Sequence, residues 1–335
     1  MRKHYKTTVL VLGAVLLVSA VVSLCVGRYS MNPADAISAL FSTISGAEPA
    51  DPTMNTVLFV IRLPRVLAAM MVGAALSLSG AVYQGVFKNP LVSPDLLGVS
   101  SGACLGAALA ILMGAGIVAT QVWAFVGGIL AVLITVLIPK LLRNSSNMML
   151  VLSGIITGGF MSSFLSVLKF VAKEDTQLEE IVFWQMGSLN GVNNAQVVTV
   201  GPIFIICIVV LLLLAWRINI LSFGEDEART LGVNVKLIRG ITIACASLLT
   251  ASCVSISGTI GWVGLVIPHL GRMLVGADNT KLMPTTMLLG AAFMLIIDTI
   301  ARAGTSLEIP LGVLTGLIGA PFYAWLLYKQ KAKVQ

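Results

Sequence analysis

Charge is scarce in this chain. Of 335 residues, 21 are Lys or Arg, 14 are Asp or Glu and 2 are His, so charged side chains make up 10%. An ordinary soluble domain carries about 25%, so a water-facing surface of normal polarity is excluded. The acids and imidazoles form no cluster, which leaves no metal-ligand set. No nucleophile elbow is present either. Gly-Lys never occurs among the 32 glycines, so there is no GxxxxGK[ST] phosphate loop and ATP hydrolysis by the usual route is excluded. The dense intramembrane acids of many proton- or sodium-coupled carriers are also missing. Cysteine is limited to Cys25, Cys104, Cys207, Cys245 and Cys253, all in apolar stretches and without a CxxC. They read as small packing residues.

Apolar sequence fills the space left by charge. Hydrophobic residues are 57% and mean hydropathy is +0.98. The run 241–275 has no charge except Arg272. As one helix it would be about 50 Å long against a bilayer core of about 30 Å, so it must turn once, at the small, Gly-rich stretch 255–261. The same reasoning gives ten spans, at 7–26, 66–84, 96–113, 122–138, 148–170, 197–216, 241–255, 259–274, 283–300 and 311–328. The fold class expected is an all-α polytopic membrane protein, a single transmembrane domain over 1–335. If the N-terminus is cytoplasmic, most of the 21 basic residues fall inside. Only Arg28, Arg62, Arg65, Lys169, Lys173 and Arg302 fall outside. That is a positive-inside bias, and it puts both termini in the cytoplasm. The net charge of +7 is spread over short loops and implies no nucleic-acid partner. The first span reads as a retained helix rather than a signal peptide.

The polar segments carry the motifs. In the outer loop 28–62, Asn32 and Pro33 form a helix start, and an apolar face follows, predicting a short surface helix. Arg62 and Arg65 then precede the second span, against both the charge bias and the helix dipole. Two readings stand, snorkelling to lipid phosphate or docking of an acidic external partner. After that span, Pro90 and Pro94 preclude a continuous helix. Irregular backbone at a membrane edge is tolerated only beside protein or a water-filled cavity, so this segment is a tight turn or a pore constriction. In the outer loop 171–196, Leu178, Ile181, Val182 and Trp184 suit a helix too short to span. In the inner loop 217–240, Ser222 as cap, Glu225, Asp226 and Glu227 in the first turn, and Gly232 as stop predict a short exposed helix. It is a solvated connector or a rigid lever for a cytoplasmic partner. Within spans, Asp298 lies four residues before Arg302, an i,i+4 ion pair, and His269 reads as a hydrogen-bonded packing residue. Gly102/Gly106, Gly154/Gly158 and Gly312/Gly316 have helix-packing spacing.

Taken together, several of these segments form a recognisable set. They are Arg62-Leu63-Pro64-Arg65, Ser79-Gly80-Ala81-Val82-Tyr83-Gln84, Asn89-Pro90-Leu91, Pro94-Asp95-Leu96-Leu97-Gly98, Trp184-Gln185-Met186-Gly187-Ser188-Leu189, Gly261-Trp262-Val263-Gly264-Leu265-Val266-Ile267-Pro268-His269 and Glu308-Ile309-Pro310-Leu311-Gly312-Val313-Leu314-Thr315-Gly316. With these the chain resembles, over nearly its whole length, the permease family of type II ABC importers for iron–siderophore complexes, haem and vitamin B12. The resemblance implies ten spans in two inverted five-helix halves in the cytoplasmic (inner) membrane. It also implies a homodimer, two cytoplasmic ABC ATPase subunits that use ATP and Mg, and an external substrate-binding protein. No cofactor or metal is expected on this chain. By position, Arg62, Arg65 and Arg302 resemble the binding-protein contacts. Asn89, Leu91, Ser145 and Ser146 resemble the cytoplasmic gate. Glu225, Asp226, Glu227, Ala228, Arg229, Leu231 and Gly232 resemble the ATPase-coupling helix. Gly154, Gly158, Met161, Ser162, Leu311 and Thr315 resemble pore lining. The function implied is import of an iron chelate, a siderophore complex or haem. Cobalamin or an oxyanion is the alternative within the class, and an ion-coupled secondary transporter the alternative outside it.

Overall fold

The computed structural model describes residues 2–27, 29, 31, 32, 34, 35, 38, 39, 52–144, 146–304 and 308–331. Among them, regular structure is helical throughout. In chain order the helices are α1 (Arg2–Cys25), α2 (Leu63–Val86), α3 (Val99–Leu112), α4 (Ile117–Leu141), α5 (Asn147–Val171), α6 (Glu179–Met186), α7 (Asn194–Phe223), α8 (Glu225–Thr230), α9 (Val235–Ser257), α10 (Val263–Val275), α11 (Asn279–Ala303) and α12 (Leu311–Lys331). A short helix, Pro52–Thr56, and a π-helical turn, Val57–Arg62, lead into α2 without a break. Asn32 accepts from the Ala34 amide at 3.3 Å. Most of the surface helix expected after it lies outside the described residues.

Among the described residues, seven helices are long and apolar enough to cross a membrane: α1, α2 with its lead-in, α4, α5, α7, α9 and α11. Helices α3, α10 and α12 are apolar but shorter. The sequence expected ten apolar spans; α3 and α10 begin later than the spans expected at 96–113 and 259–274 because the first residues there are not helical. Pro94–Leu97 is a 3₁₀ turn that ends at Gly98, φ 78°. The chain between α9 and α10 stays irregular to Trp262, φ 70°. The break inside 241–275 is therefore where length requires it. Conversely, α7 is longer than expected, because Ser222 lies in its last turn, donating to Asn219 O at 2.6 Å, and does not cap α8.

Side-chain caps fix the helix starts. Ser146 caps α5, Asn193 forms a reciprocal capping box with Gln196 at α7, Asn234 caps α9 and Asp278 caps α11. Each satisfies an N–H that a helix end leaves open, worth about 1 kcal/mol.

α2 is the hub. It is buried from Pro64 to Val86 with few exceptions and packs against α11, α9, α10 and α7. The approach is very close at one point, where a Cβ on Gly80 would lie 1.8 Å from Gly264 O. α3 and α4 meet equally closely, Gly102 and Gly106 facing the backbone of Gly127 and Trp123. Without a hydrophobic driving force between helices in lipid, such backbone approach is what holds spans together. Buried polar bonds add to it: Ser79 donates to Ala246 O at 3.1 Å, and Tyr83 and Ser247 share a hydrogen bond of 2.6 Å. Outward faces are apolar, as on Leu10, Phe170 and Leu213.

The bundle has two ends. At one, here the Arg65 end, the C-termini of α1 and α11 meet the start of α2. At the other, the Gln84 end, the end of α2 meets the starts of α5, α9 and α11 and the ends of α7 and α10.

Candidate gate, coupling and docking sites

The irregular segment after α2 is held in shape locally. Lys88 adopts φ 53°. The Asn89 side chain accepts from the Leu91 amide at 2.9 Å, and the Val92 amide donates to Asn89 O at 3.3 Å. Asn89 and Pro90 are exposed and Leu91 is 57% exposed. From there the chain folds back into the bundle. Pro94 packs on Gly264, Thr135 donates to Leu97 O at 3.0 Å, and a Cβ on Gly154 would lie 2.0 Å from Leu96 O. Gly154 is seven residues into α5, so the chain re-enters by about 10 Å. Such a fold-back is stable in a membrane only where its carbonyls are met by protein, as Leu97 O is. Asn147 donates to Val86 O at 3.4 Å, which brings exposed Ser146 to the same end as Asn89 and Leu91. Ser145 lies outside the described residues.

α8 projects from the same end. Gly224 breaks the chain from α7, and the Gly232 amide closes the far end on Arg229 O at 3.0 Å. Ala228 is buried against the bundle, while Asp226, Glu227, Arg229 and Leu231 are exposed. Arg229 pairs with Glu225 at 3.6 Å and Asp226 at 3.3 Å. Arg239, on α9, pairs with Glu225. The hydrogen bond from Arg239 holds the Glu225 carboxyl below its ordinary value, outweighing partial burial, with Arg229 and Lys88 acting in the same direction. The helix is thereby clamped to α9 on one side. On the other it offers charge, flanked by exposed Phe223, Leu231 and Leu237.

At the Arg65 end the three arginines are turned inward. Arg62 is 3% exposed and donates to Leu24 O at 2.6 Å, Cys25 O at 3.1 Å and Tyr29 O. Arg65 donates to both oxygens of Asp298, at 2.9 and 3.1 Å, and to Glu308 at 3.0 Å. Half-buried Arg302 donates to Ser23 O at 2.5 Å. The expected i,i+4 pair of Asp298 with Arg302 is corrected: the acid's ion-pair partner is Arg65, on another helix. Asp298 is fully buried, and a buried carboxylate needs such a charge in direct contact.

The residues expected along a pore separate into two groups. Ser162 is exposed and Gly158 half-exposed on α5. Gly154 and Met161 face into the chain. Leu311 and Thr315 are buried at 1% and 0%. They anchor the start of α12, where the Leu311 amide donates to Gly187 O at 2.8 Å. His269 packs edge-on to Tyr323 of α12, with ring centroids 6.1 Å apart. No group of three or more metal-ligating side chains exists among the described residues.

Comparison with known proteins gives a consistent result. A match to the FecCD transport family spans residues 15–329. The chain is 42% identical over 320 residues, 96% of its own length and 95% of the other's, to the molybdate import system permease protein MolB of Haemophilus influenzae. It is 41% identical to a probable iron chelatin transport system permease protein of Helicobacter pylori, covering 83% and 84%. It is 36% identical to the hemin transport system permease protein HmuU of Yersinia pestis, covering 96% of both. Among solved structures it resembles an inward-facing conformation of a putative metal-chelate type ABC transporter, with a TM-score of 0.87 and 40% identity, covering 97% of this chain and 99% of that one.

Proposed function

The chain belongs to the FecCD transport family, and from that premise we propose that two copies of it form the membrane pathway of an ATP-driven importer for a bulky iron chelate, a siderophore complex or haem. The observation that carries this is the family match over residues 15–329, which takes in nearly the whole bundle, together with relatives that are permease proteins end to end. In this reading the ten apolar segments all lie in the inner membrane as two inverted halves, with both termini and the Gln84 end in the cytoplasm. α8, through Glu225, Asp226, Glu227, Ala228, Arg229, Leu231 and Gly232, seats in a cleft on each of two ATPase subunits. That supplies the hydrolysis this chain has no phosphate loop to perform. Asn89, Leu91, Ser145 and Ser146 form the inner gate, and the open face of α5 at Gly158 and Ser162 lines the pathway. An external binding protein docks at the Arg65 end. Since Arg62, Arg65 and Arg302 have partners within the chain, their part is to order that face, and any acid on the docked protein competes with Glu308 for Arg65.

Similarity to a molybdate permease favours a second reading, an oxyanion importer of the same architecture. The test is uptake into proteoliposomes holding this chain with its ATPase and binding protein, using a ferric siderophore, haemin and molybdate as probes. ATP-dependent uptake of either iron chelate is expected. Uptake of molybdate alone would move the assignment to the second reading. Uptake driven by a proton gradient without any ATPase would falsify both.

A further inference from the structure

Gln84 has no part in the roles described so far, yet its amide is engaged on both sides. It lies in the last turn of α2 and is 4% exposed. Its Nε2 donates to Val92 O at 3.1 Å and to Gly264 O at 3.4 Å. Its Oε1 accepts from the Arg272 guanidinium. A packing amide could be satisfied within one neighbouring helix; this one divides its bonds between two bodies. Val92 belongs to the turn that carries Asn89 and Leu91. Gly264 and Arg272 belong to the first and last turns of α10. The turn and α10 also touch directly, for a Cβ on Gly264 would lie 2.3 Å from the Pro94 ring.

Chemistry restricts what could replace it. Only a carboxamide of this length offers N–H donors to two carbonyls and an acceptor to a guanidinium at once. A carboxylate keeps the acceptor and loses the donors. An alkyl group loses both and leaves buried carbonyls unpaired, which is the costly outcome. We infer that Gln84 is a positioning residue that ties the 88–94 turn to α10, so that turn and helix move as one body when the pathway opens and closes. The functional part of this rests on reading Asn89 and Leu91 as the gate. α10 in turn meets α12 through Trp262 against Gly319 and His269 against Tyr323, so a displacement of the turn is passed on to that helix.

Spin labels at Leu91→Cys and Met273→Cys test the tie, because both positions are more than half exposed and all five native cysteines are buried. Labelled chains are diluted with unlabelled ones so that only distances within one chain are read. With Gln84 present, the 91–273 distance is expected to be narrow and equal in the nucleotide-free and vanadate-trapped assemblies. Gln84→Leu and the isosteric Gln84→Glu should each broaden it about twofold, since releasing one fixed arrangement admits several. A 91–273 distance that shifts between nucleotide states with Gln84 in place would overturn the inference. So would a distribution that stays narrow in Gln84→Glu, which keeps the side chain's size and its acceptor for Arg272 while replacing the donors with a carboxylate oxygen turned on two carbonyls. The nucleotide-free measurement needs no ATPase. Failure of ATP-driven uptake with a narrow, glutamine-dependent distribution would therefore sink the importer reading and leave the tie standing.

Discussion

Replacing Arg65 by Met should be among the most destabilising single changes in this chain, and the structure says by how much. The substitution keeps the length of the side chain and removes three charge-assisted hydrogen bonds, two to Asp298 and one to Glu308. The two acids do not suffer equally. The Glu308 side chain is 26% exposed and can turn to water, so its loss is of the surface kind, about 0–1 kcal/mol. Asp298 is 0% exposed and is left as an uncompensated buried acid, which costs about 3–5 kcal/mol. The sum, about 3–6 kcal/mol, is roughly a hundred- to tens-of-thousands-fold in the unfolding equilibrium. Adding Asp298→Leu to Arg65→Met should recover all but about 1–2 kcal/mol, because replacing both members of a buried pair by apolar groups is often close to neutral. Arg62→Met is the control. Arg62 meets only carbonyl groups in the described structure, so no acid is stranded and the loss should be about 1–3 kcal/mol. Steric-trapping measurements of unfolding in bicelles give these values as a double-mutant cycle. An Arg65→Met loss below about 1 kcal/mol, or a double variant no better than the single, would refute the argument that burial of Asp298 makes the pair matter.

Other outcomes follow from the same kind of reasoning. Because the Arg239 bond holds the Glu225 carboxyl below its ordinary value of 4.5, the clamp on α8 is fully present above that value and is lost as pH falls through the lowered one; the protection of residues 225–230 against hydrogen exchange, taken relative to the intrinsic rate at each pH, should fall there, and Glu225→Gln should remove that loss. Ala228→Pro should leave insertion intact and uncouple ATP hydrolysis from uptake, read as ATP consumed per chelate transported, since Ala228 is buried at the root of α8. Gly80→Val should lower thermal stability by about 1–3 kcal/mol or more, the cost of overpacking, because even a Cβ would sit 1.8 Å from Gly264 O. Tyr83→Phe should cost about 1 kcal/mol through the lost bond to Ser247, measured by thermal melts in detergent.

The sequence made the helical class legible because hydropathy and length are local properties. The break inside 241–275 follows from the bilayer's thickness alone. The stop at Gly232 follows from a residue that suits the left-handed region, which it adopts at φ 76°. What could not be read is partnership across distance. Asp298 has Arg302 one turn away, and spacing favours that pair, yet Arg65, 233 positions earlier, takes it. Gln84 stood in the motif that carried the family resemblance, and a polar residue in a buried span was the available signal, but its partners come from two separate segments, the turn after α2 and α10. The shortness of α3 and α10 was missed for a related reason. Their leading residues are apolar and pass for helix, while the proline and glycine that break them act through contacts with other spans. The surroundings of small residues were the least legible, since a glycine on an open face and a glycine that admits a neighbouring backbone have the same spacing, as half-exposed Gly158 and buried Gly154 illustrate.

The position of α1 bears on how the protein is made. Its principal neighbour is α11, and the bond from Arg302 to Ser23 joins residues 279 positions apart. Ribosomes add about 5–20 residues per second, so roughly 14–56 s separate the birth of the first span from that of its mate. During that wait the end of the helix can meet α2, through Arg62 on the carbonyls of Leu24 and Cys25, while its outward residues Leu10, Leu17 and Val18 stay exposed. A chain truncated before α11 would keep the Arg62 bonds to α1 and lose the one from Arg302, leaving the Ser23 carbonyl without that donor. Quality control that recognises unpaired polar groups in lipid would find its signal at the oldest end of the newest protein.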